Sequence, residues 1–280
     1  MKIGIIGNGF IGRAMQELRN SNIAVVCYDK CAELCEPRGT NIRDLLDCDI
    51  VFISVPTPMN KDGTANIHIV KSVVKELEEI GYNNYTVVRS TVPPGTCDEL
   101  NVYFMPEFLT ETNSKNDFIN NELWIYGLQG IEKDAGFKTS ITQLIETCYK
   151  EKRIKYDKIQ WLTNKEAEMV KYFRNTFLAV KIAYCNELYN LCQLNDIDYE
   201  NVRAIAAQDK RIGMSHTSVP GPDGKFGFGG TCFPKDTYAL FHFMKQSEMK
   251  SYVLAAAIER NMNEDRKEHD WEDDVGRAVV

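Results

Sequence analysis

The amino-acid sequence predicts an α/β protein: a doubly wound, mostly parallel sheet at the N-terminus, followed by an all-helical domain built on one long helix. Three observations carry that prediction. Short β-branched apolar runs alternate with helical patterns through the first half, as in sheets covered on both faces. A glycine turn follows the first of those runs. From Thr163 to about Asn195, apolar residues recur at steps of three and four without a break. At 280 residues the chain can hold two medium domains, and the change of texture divides it into 1–162 and 163–280.

The strand candidates are KIGIIG (2–7), AVVCYD (24–29), IVFISV (50–55), YTVVRS (85–90), VYFMP (102–106) and LWIYGL (123–128), with IKYDKIQ (154–160) closing this half. Residues 68–80 separate two of them and place Ile69, Val73, Val74 and Leu77 on one helical face. Thr163 and Glu166 form a capping-box signature at the start of the long helix. Along it, Val170, Phe173, Phe177, Val180, Tyr184, Leu188 and Leu191 recur. Such a helix is on the order of 45 Å long, a length that links domains or packs against a second subunit. A further helix over about 199–209 precedes a Gly/Pro-rich loop, SVPGPDGKFGFGG (218–230). Helices over about 234–248 and 250–263 follow, and the charged tail NEDRKEHDWEDD is expected to fray.

Bulk properties exclude several classes. With 40 acidic and 33 basic residues the formal net charge is -7. No basic face is implied for nucleic acid, and an anionic ligand must be held by local devices such as helix N-termini and single Lys or Arg residues. No apolar run approaches the ~20 residues of a membrane span, and MKIGIIGNGF reads as a strand and turn rather than a signal peptide. The nine cysteines form no C-x-x-C pair and no Cys/His cluster, so neither a disulfide framework nor a metal site is expected. Free thiols in a reducing cytoplasm are the expectation.

Gly7-Asn8-Gly9-Phe10-Ile11-Gly12 fits G-x-G-x-x-G, follows a strand and opens a helix, the setting of a Rossmann-like dinucleotide site. Gly7 allows the tight turn, Gly9 the approach of a pyrophosphate, and Gly12 close packing of helix on strand. Asp29, at the end of the second strand, suits a ribose and favours NAD over NADP. Val55-Pro56-Thr57-Pro58 and Ser90-Thr91-Val92-Pro93-Pro94-Gly95-Thr96 end the third and fourth strands. Ligands bind at that edge in such sheets, but a rigid loop exit explains either segment equally well.

Glu107 ends the next strand, where it is either a base or water-positioning group or a solvated loop residue. Lys171 and Asn175 share one face of the long helix. They could grip an alcohol oxygen, or lie in solvent. Cys232 follows a glycine cluster and precedes Pro234, a residue suited to the first helical position. The helix N-terminus, with Lys235 nearby, stabilises a thiolate. The residues alone leave a reactive thiol and an inert one open; the other eight cysteines read as structural.

Together, GNGFIG, VPTP, STVPPGT, PEFLTE, KYFRNTFLA and GFGGTCFPKD resemble, in order, the motifs of the NAD-dependent nucleotide-sugar 6-dehydrogenases. The Phe-Pro-Lys-Asp ending is more similar to the UDP-glucose branch than to those acting on GDP-mannose or UDP-N-acetylmannosamine. The resemblance implies oxidation of a sugar CH2OH to a carboxylate in two hydride transfers, with UDP-glucose as the favoured substrate. It assigns Cys232 as nucleophile, Lys171 to the developing oxyanion, and Glu107 to base or water chemistry. Asn175, Asp236 and Thr91 complete the catalytic set. Cofactor contacts fall on Gly7, Gly9, Phe10, Ile11, Gly12, Asp29, Thr57, Thr91 and Lys235. Substrate contacts fall on Glu107, Phe108, Leu109, Lys171, Asn175, Arg211, Phe226 and Gly229. In dimers of the family the arginine matching Arg211 can reach the partner's substrate, and a homodimer through the long helix is expected.

Two departures stand out. Members of that family usually carry a third, C-terminal domain that binds much of the nucleotide diphosphate, so a short form is expected here. The loop 214–225 is longer and more polar than usual and is expected to cover substrate. Two other readings compete: a two-domain 3-hydroxyacid dehydrogenase with a single hydride transfer, and a non-catalytic remnant that binds NAD or a nucleotide sugar.

Overall fold

The computed structural model describes residues 1–280 as two compact units. Met1–Thr57 and Ile67–Lys171 form the first, Pro58–Asn66 and Tyr172–Val280 the second. No helix is long and apolar enough to cross a membrane.

The first unit is a seven-stranded sheet: β1 (Lys2–Ile6), β2 (Ala24–Tyr28), β3 (Ile50–Ile53), β4 (Tyr85–Val88), β5 (Tyr103–Phe104), β6 (Trp124–Leu128) and β7 (Ile159–Thr163). Their order is β2-β1-β3-β4-β5-β6-β7, and every pairing is parallel except β5 with β6. Chain direction therefore reverses its lateral course at β1, which opens a crevice at the carboxyl ends of β1 and β3. Strands buried on both faces need apolar residues throughout, and Ile50, Val51, Phe52 and Ile53 are all fully buried. One face packs Ile5, Phe52, Val87 and Tyr126 with Phe137 of α5 (Asp134–Lys150). The other packs Ile53 and Val88 with Val70, Val73, Val74 and Leu77 of α2 (His68–Glu79). The remaining helices of this unit are α1 (Phe10–Met15), α3 (Thr96–Glu99) and α4 (Ser114–Ile119).

The last strand lies later than the sequence predicts, at Ile159–Thr163 rather than 154–160. Ile154 is instead a single buried anchor, and Lys155 N–H bonds to the Ile119 carbonyl as the chain crosses back. The two-residue alternation that pairs with β6 begins at Ile159 and carries Trp161 against Tyr126 and Phe137. The fifth strand is also shorter than expected, only Tyr103–Phe104.

The long helix α6 (Asn164–Leu194) begins at the capping box read from the sequence. Thr163 Oγ1 accepts from Glu166 N–H, and Glu166 Oε2 accepts from Thr163 N–H. Its apolar stripe only partly faces the core: Val180 and Leu188 pack against it. Phe173 is 66% exposed, and Phe177, Tyr184 and Leu191 are also exposed. From Tyr172 onward the buried positions are Tyr172, Asn175, Thr176, Ala179, Ala183, Cys185, Asn186 and Cys192. Apart from Tyr172, small and polar residues thus supply the fully buried positions, while Phe173, Phe177, Tyr184 and Leu191 stay on the surface.

The second unit continues with α7 (Tyr199–Ala206), α8 (Phe233–Gln246) and α9 (Val253–Arg260). Contrary to the expected fraying, the charged tail is part of this unit. Trp271 is only 1% exposed, and Val280 N–H and Met59 N–H exchange bonds with the Met59 and Ala278 carbonyls. The tail's one buried charge is paired, while Glu264, Lys267, Glu268, Glu272 and Asp273 stay exposed. The buried Arg266 guanidinium bonds to both Asp223 and Asp270, and Lys225 also pairs with Asp270. Trp271→Ala should therefore lower stability by about 3–5 kcal/mol, measured by urea unfolding of the whole chain. A change within about 0.5 kcal/mol, ordinary for surface positions, would show that the tail is not packed.

Candidate functional site

The glycine turn after β1 is built as the motif requires. Gly7 has φ +91, and a Cβ there would meet the Ser54 carbonyl oxygen at 2.5 Å. A Cβ at Gly12 would lie 2.1 Å from the Gly7 carbonyl oxygen, so helix and strand meet too closely for any side chain. At Gly9 nothing lies within 4 Å, leaving open space over the turn. Asp29 braces the turn: its carboxylate accepts from Asn8 N–H at 2.7 Å and Cys31 N–H at 2.9 Å. Phe10 and Ile11 are half-buried in the first turn of α1. Thr57 is buried beyond the carboxyl end of β3, and Thr91 beyond that of β4. A turn that only glycine can make, open above Gly9 and flanked by a carboxylate, fits a dinucleotide. Gly7, Gly9, Gly12 and Asp29 would hold it.

Glu107 and Lys171 meet in the first unit. Lys171 Nζ donates to Glu107 Oε1 at 2.6 Å and to the Glu107 carbonyl at 2.8 Å. Glu107 Oε2 accepts from Leu109 N–H at 2.9 Å, and Lys171 Nζ lies 5.7 Å from the centre of the Phe108 ring. Glu107 is 5% exposed and Lys171 4%, so neither is the solvated residue that local sequence allowed. Burial works to raise the Glu107 carboxyl. The charge and hydrogen bond of Lys171, the Leu109 N–H and the charge of Arg89 outweigh it and hold the group below its ordinary value.

A second cluster lies in the second unit. Asn175 Nδ2 donates to Asp236 Oδ2 at 2.6 Å, and Lys235 pairs with Asp236 Oδ1. Asp236 is fully buried and falls in the first turn of α8, whose N-cap is Cys232. Cys232 is half-buried, with Thr231 Oγ1 3.8 Å from its sulfur. Of the other cysteines seven are buried, and Cys31 is exposed rather than part of the core. Arg211 is on the surface, paired with Asp209, and Phe226 is exposed in the loop before the glycines. That loop is tied down through Asp223 and Lys225 to the tail.

Sequence reading missed the residues that hold these groups in place. Glu168, one turn before Lys171, is fully buried and accepts from Gly95 and Cys97 N–H, which fixes the loop after Thr91. Burial pushes its carboxyl up to about 7, against those two donors. Asn261 brackets Phe228 by accepting from its N–H at 2.7 Å and donating to its carbonyl at 2.9 Å. Asn186 accepts from Gly227 N–H. Arg266 occupies the space a side chain at Gly229 would need, 2.4 Å from such a Cβ. The available signal was polar residues at mid-helix positions on the face shared by Lys171 and Asn175.

The fold and the turn define a dinucleotide-binding α/β protein with a helical second unit. Comparison with known proteins narrows this. The NAD binding domain of the UDP-glucose/GDP-mannose dehydrogenase family matches residues 38–151, and the central domain of the same family matches residues 165–263. The chain belongs to the UDP-glucose/GDP-mannose dehydrogenase family and carries its NAD-binding domain. It is 32% identical over 236 residues to a UDP-glucose 6-dehydrogenase of Rickettsia typhi, covering 79% of this chain and 51% of the relative. It is 33% identical over 235 residues to that of Pseudomonas aeruginosa, covering 78% and 49%. The chain thus spans about half the length of these relatives. A UDP-glucose dehydrogenase structure from Pyrobaculum islandicum superposes with a TM-score of 0.78 at 26% identity, covering 93% of this chain and 67% of that one.

The buried pair makes stability depend on pH. Glu107 is held below its ordinary value of 4.5 in the fold, so its contribution is present above about pH 4.5 and is lost as pH falls through the lowered value. Lys171→Met strands the carboxylate and should cost about 3–5 kcal/mol at pH 7. Protonation relieves the stranded group, so the gap between wild type and variant should narrow on acidification. Urea unfolding at pH 7 and pH 4 checks this; an equal gap at both would mean that Glu107 is not ionised in the fold.

Proposed function

We propose that this chain catalyses NAD-dependent oxidation of a nucleotide sugar CH2OH to a carboxylate, with UDP-glucose the favoured substrate. The observation that carries the reading is the burial of matched polar groups, Lys171 with Glu107 and Asn175 with Asp236, in a chain of this family whose Cys232 stands at the start of a helix. Bound NAD would accept one hydride in each of the two oxidations. Lys171 supplies the positive charge that steadies the alcohol oxygen as it becomes negative. The Cys232 sulfur adds to the aldehyde carbon, and the carbonyl oxygen takes a proton to give a thiohemiacetal. Loss of a second hydride and of that proton leaves a thioester. Water adds to the thioester carbon, breaks the C–S bond, and returns the thiol and the carboxylate. Glu107, Asp236 and Thr91 position that water or receive its proton, Asn175 holds Asp236, and Arg211, Phe226 and Gly229 serve the substrate.

Two copies of the chain pair through the exposed stripe of Phe173, Phe177, Tyr184 and Leu191 in this reading. Nine cysteines with no C-x-x-C pair fit a reducing cytoplasm.

A panel of nucleotide sugars with NAD tests the function, read by NADH absorbance and product mass. Two NADH per UDP-glucose with a carboxylate product are expected. One NADH with a carbonyl product would favour the single-transfer reading, and no turnover on any sugar would sink the proposal. Cys232→Ser should cut carboxylate formation by on the order of 1,000-fold while NAD binding survives; full activity in that variant refutes the thioester. Phe177→Glu should convert dimers to monomers in sedimentation, and a wild-type chain that is monomeric at every concentration contradicts the pairing.

A further inference from the structure

The buried charges of the first unit do not balance. Arg89 and Lys171 are both buried cations, and the charge of Glu107 acts on both. The unit's other buried carboxylates, Glu168 and Asp134, are engaged by backbone N–H groups: Gly95 and Cys97 for the first, Gly130 and Ile131 for the second.

Arg89 is 2% exposed, and its Nε and Nη1 have no hydrogen-bond partner. Its guanidinium carbon lies 5.7 Å from the centre of the Phe118 ring of α4. The charged and titratable groups that act on it are Glu107, on the exit from β5, and Tyr126 on β6. It extends β4 by one residue, with Arg89 N–H on the Ile53 carbonyl and Met105 N–H on the Val88 carbonyl. Arg89 therefore stands on the strand end next to the Met105-Pro106-Glu107 exit. Burial pushes the guanidinium down to about 10, while Glu107 works to raise it. A cation buried without a hydrogen-bonded carboxylate is costly, and an apolar side chain would fill the same place beside Phe118 without that cost.

We propose that Arg89 is a positioning residue: a fixed cation on the neighbouring strand end that holds Glu107 as a carboxylate and so keeps Lys171 clamped against it. Glu107 itself touches Lys171 and Leu109, so Arg89 acts through its charge rather than by contact with a reacting atom. The trio of Arg89, Glu107 and Lys171 carries one positive charge in excess. That excess favours a group that becomes negative beside Lys171, such as an alcohol oxygen losing its hydrogen. This last consequence rests on the function proposed above; the hold on Glu107 does not.

The test is a carboxyl titration that needs no turnover. Glutamate labelled with 13C at the side-chain carboxyl is incorporated into the whole chain, and the Glu107 signal is assigned by its loss in Glu107→Gln. In wild type the midpoint should fall below that of an exposed glutamate. In Arg89→Met it should rise toward that of an exposed glutamate, and Arg89→Lys, which keeps the charge, should restore it. An unchanged midpoint in an Arg89→Met chain with wild-type circular dichroism overturns the proposal. So does a wild-type midpoint at or above that of an exposed glutamate, a result that needs no variant to fold. A shifted midpoint in a chain that forms no NADH supports the role of Arg89 while the proposed function fails. Where NADH is formed, Arg89→Met should move the acid limb of kcat upward with little change in KM.

Discussion

The shared direction of β1, β3, β4 and β5 is the constraint on which the chemistry of the first unit depends. Four parallel strands end on one edge, so the loops that leave them start side by side. The glycine turn, Thr57, Thr91 and Glu107 reach that edge from positions up to 100 residues apart in sequence. Parallel strands require crossovers, and the crossovers bury both faces of the sheet. The backbone beneath these residues is therefore dry and rigid. Charged groups at such an edge are strongly coupled to one another, since water screens them little. The Lys171–Glu107 pair, with Arg89 on the adjacent strand end, is the consequence.

The same economy appears in the second unit, where polar side chains do the work of backbone. Asn261 brackets Phe228 as a neighbouring strand would, and Asn186 takes the N–H of Gly227. The segment before Cys232 has almost no regular structure, yet the Gly227 N–H and both backbone groups of Phe228 are met. Arg266 and the tail close it from the other side, through Asp223 and the space over Gly229. Buried amides and one guanidinium thus shape a glycine-rich loop that could not hold itself.

Much of this was legible in the sequence. Alternating apolar runs marked six strands to within a few residues, because burial on both faces leaves no polar positions to blur them. The capping box at Thr163 and Glu166 marked the start of α6, since it is a local device that needs no tertiary partner. What misled was periodicity without context. The stripe through Phe173 and Leu191 is the more hydrophobic face of α6, but the loops that close the second unit need small and amide side chains to approach. The tail looked soluble because its charges were counted singly, whereas Arg266 is neutralised by carboxylates 43 residues upstream and four downstream. Arg89 was hidden for a related reason. It sits inside an apolar run, and nothing local tells a buried arginine from one at a strand exit.

If Cys232 carries the substrate carbon through the second oxidation, the carbon–sulfur bond can be intercepted. Hydroxylamine added during turnover of UDP-glucose with NAD should divert part of the product to the hydroxamate. Acid-quenched protein should show the uronyl mass on the peptide that contains Cys232. Carboxylate formed at full yield in hydroxylamine, with no hydroxamate and no adduct on Cys232, would contradict the thioester and with it the role given to this thiol.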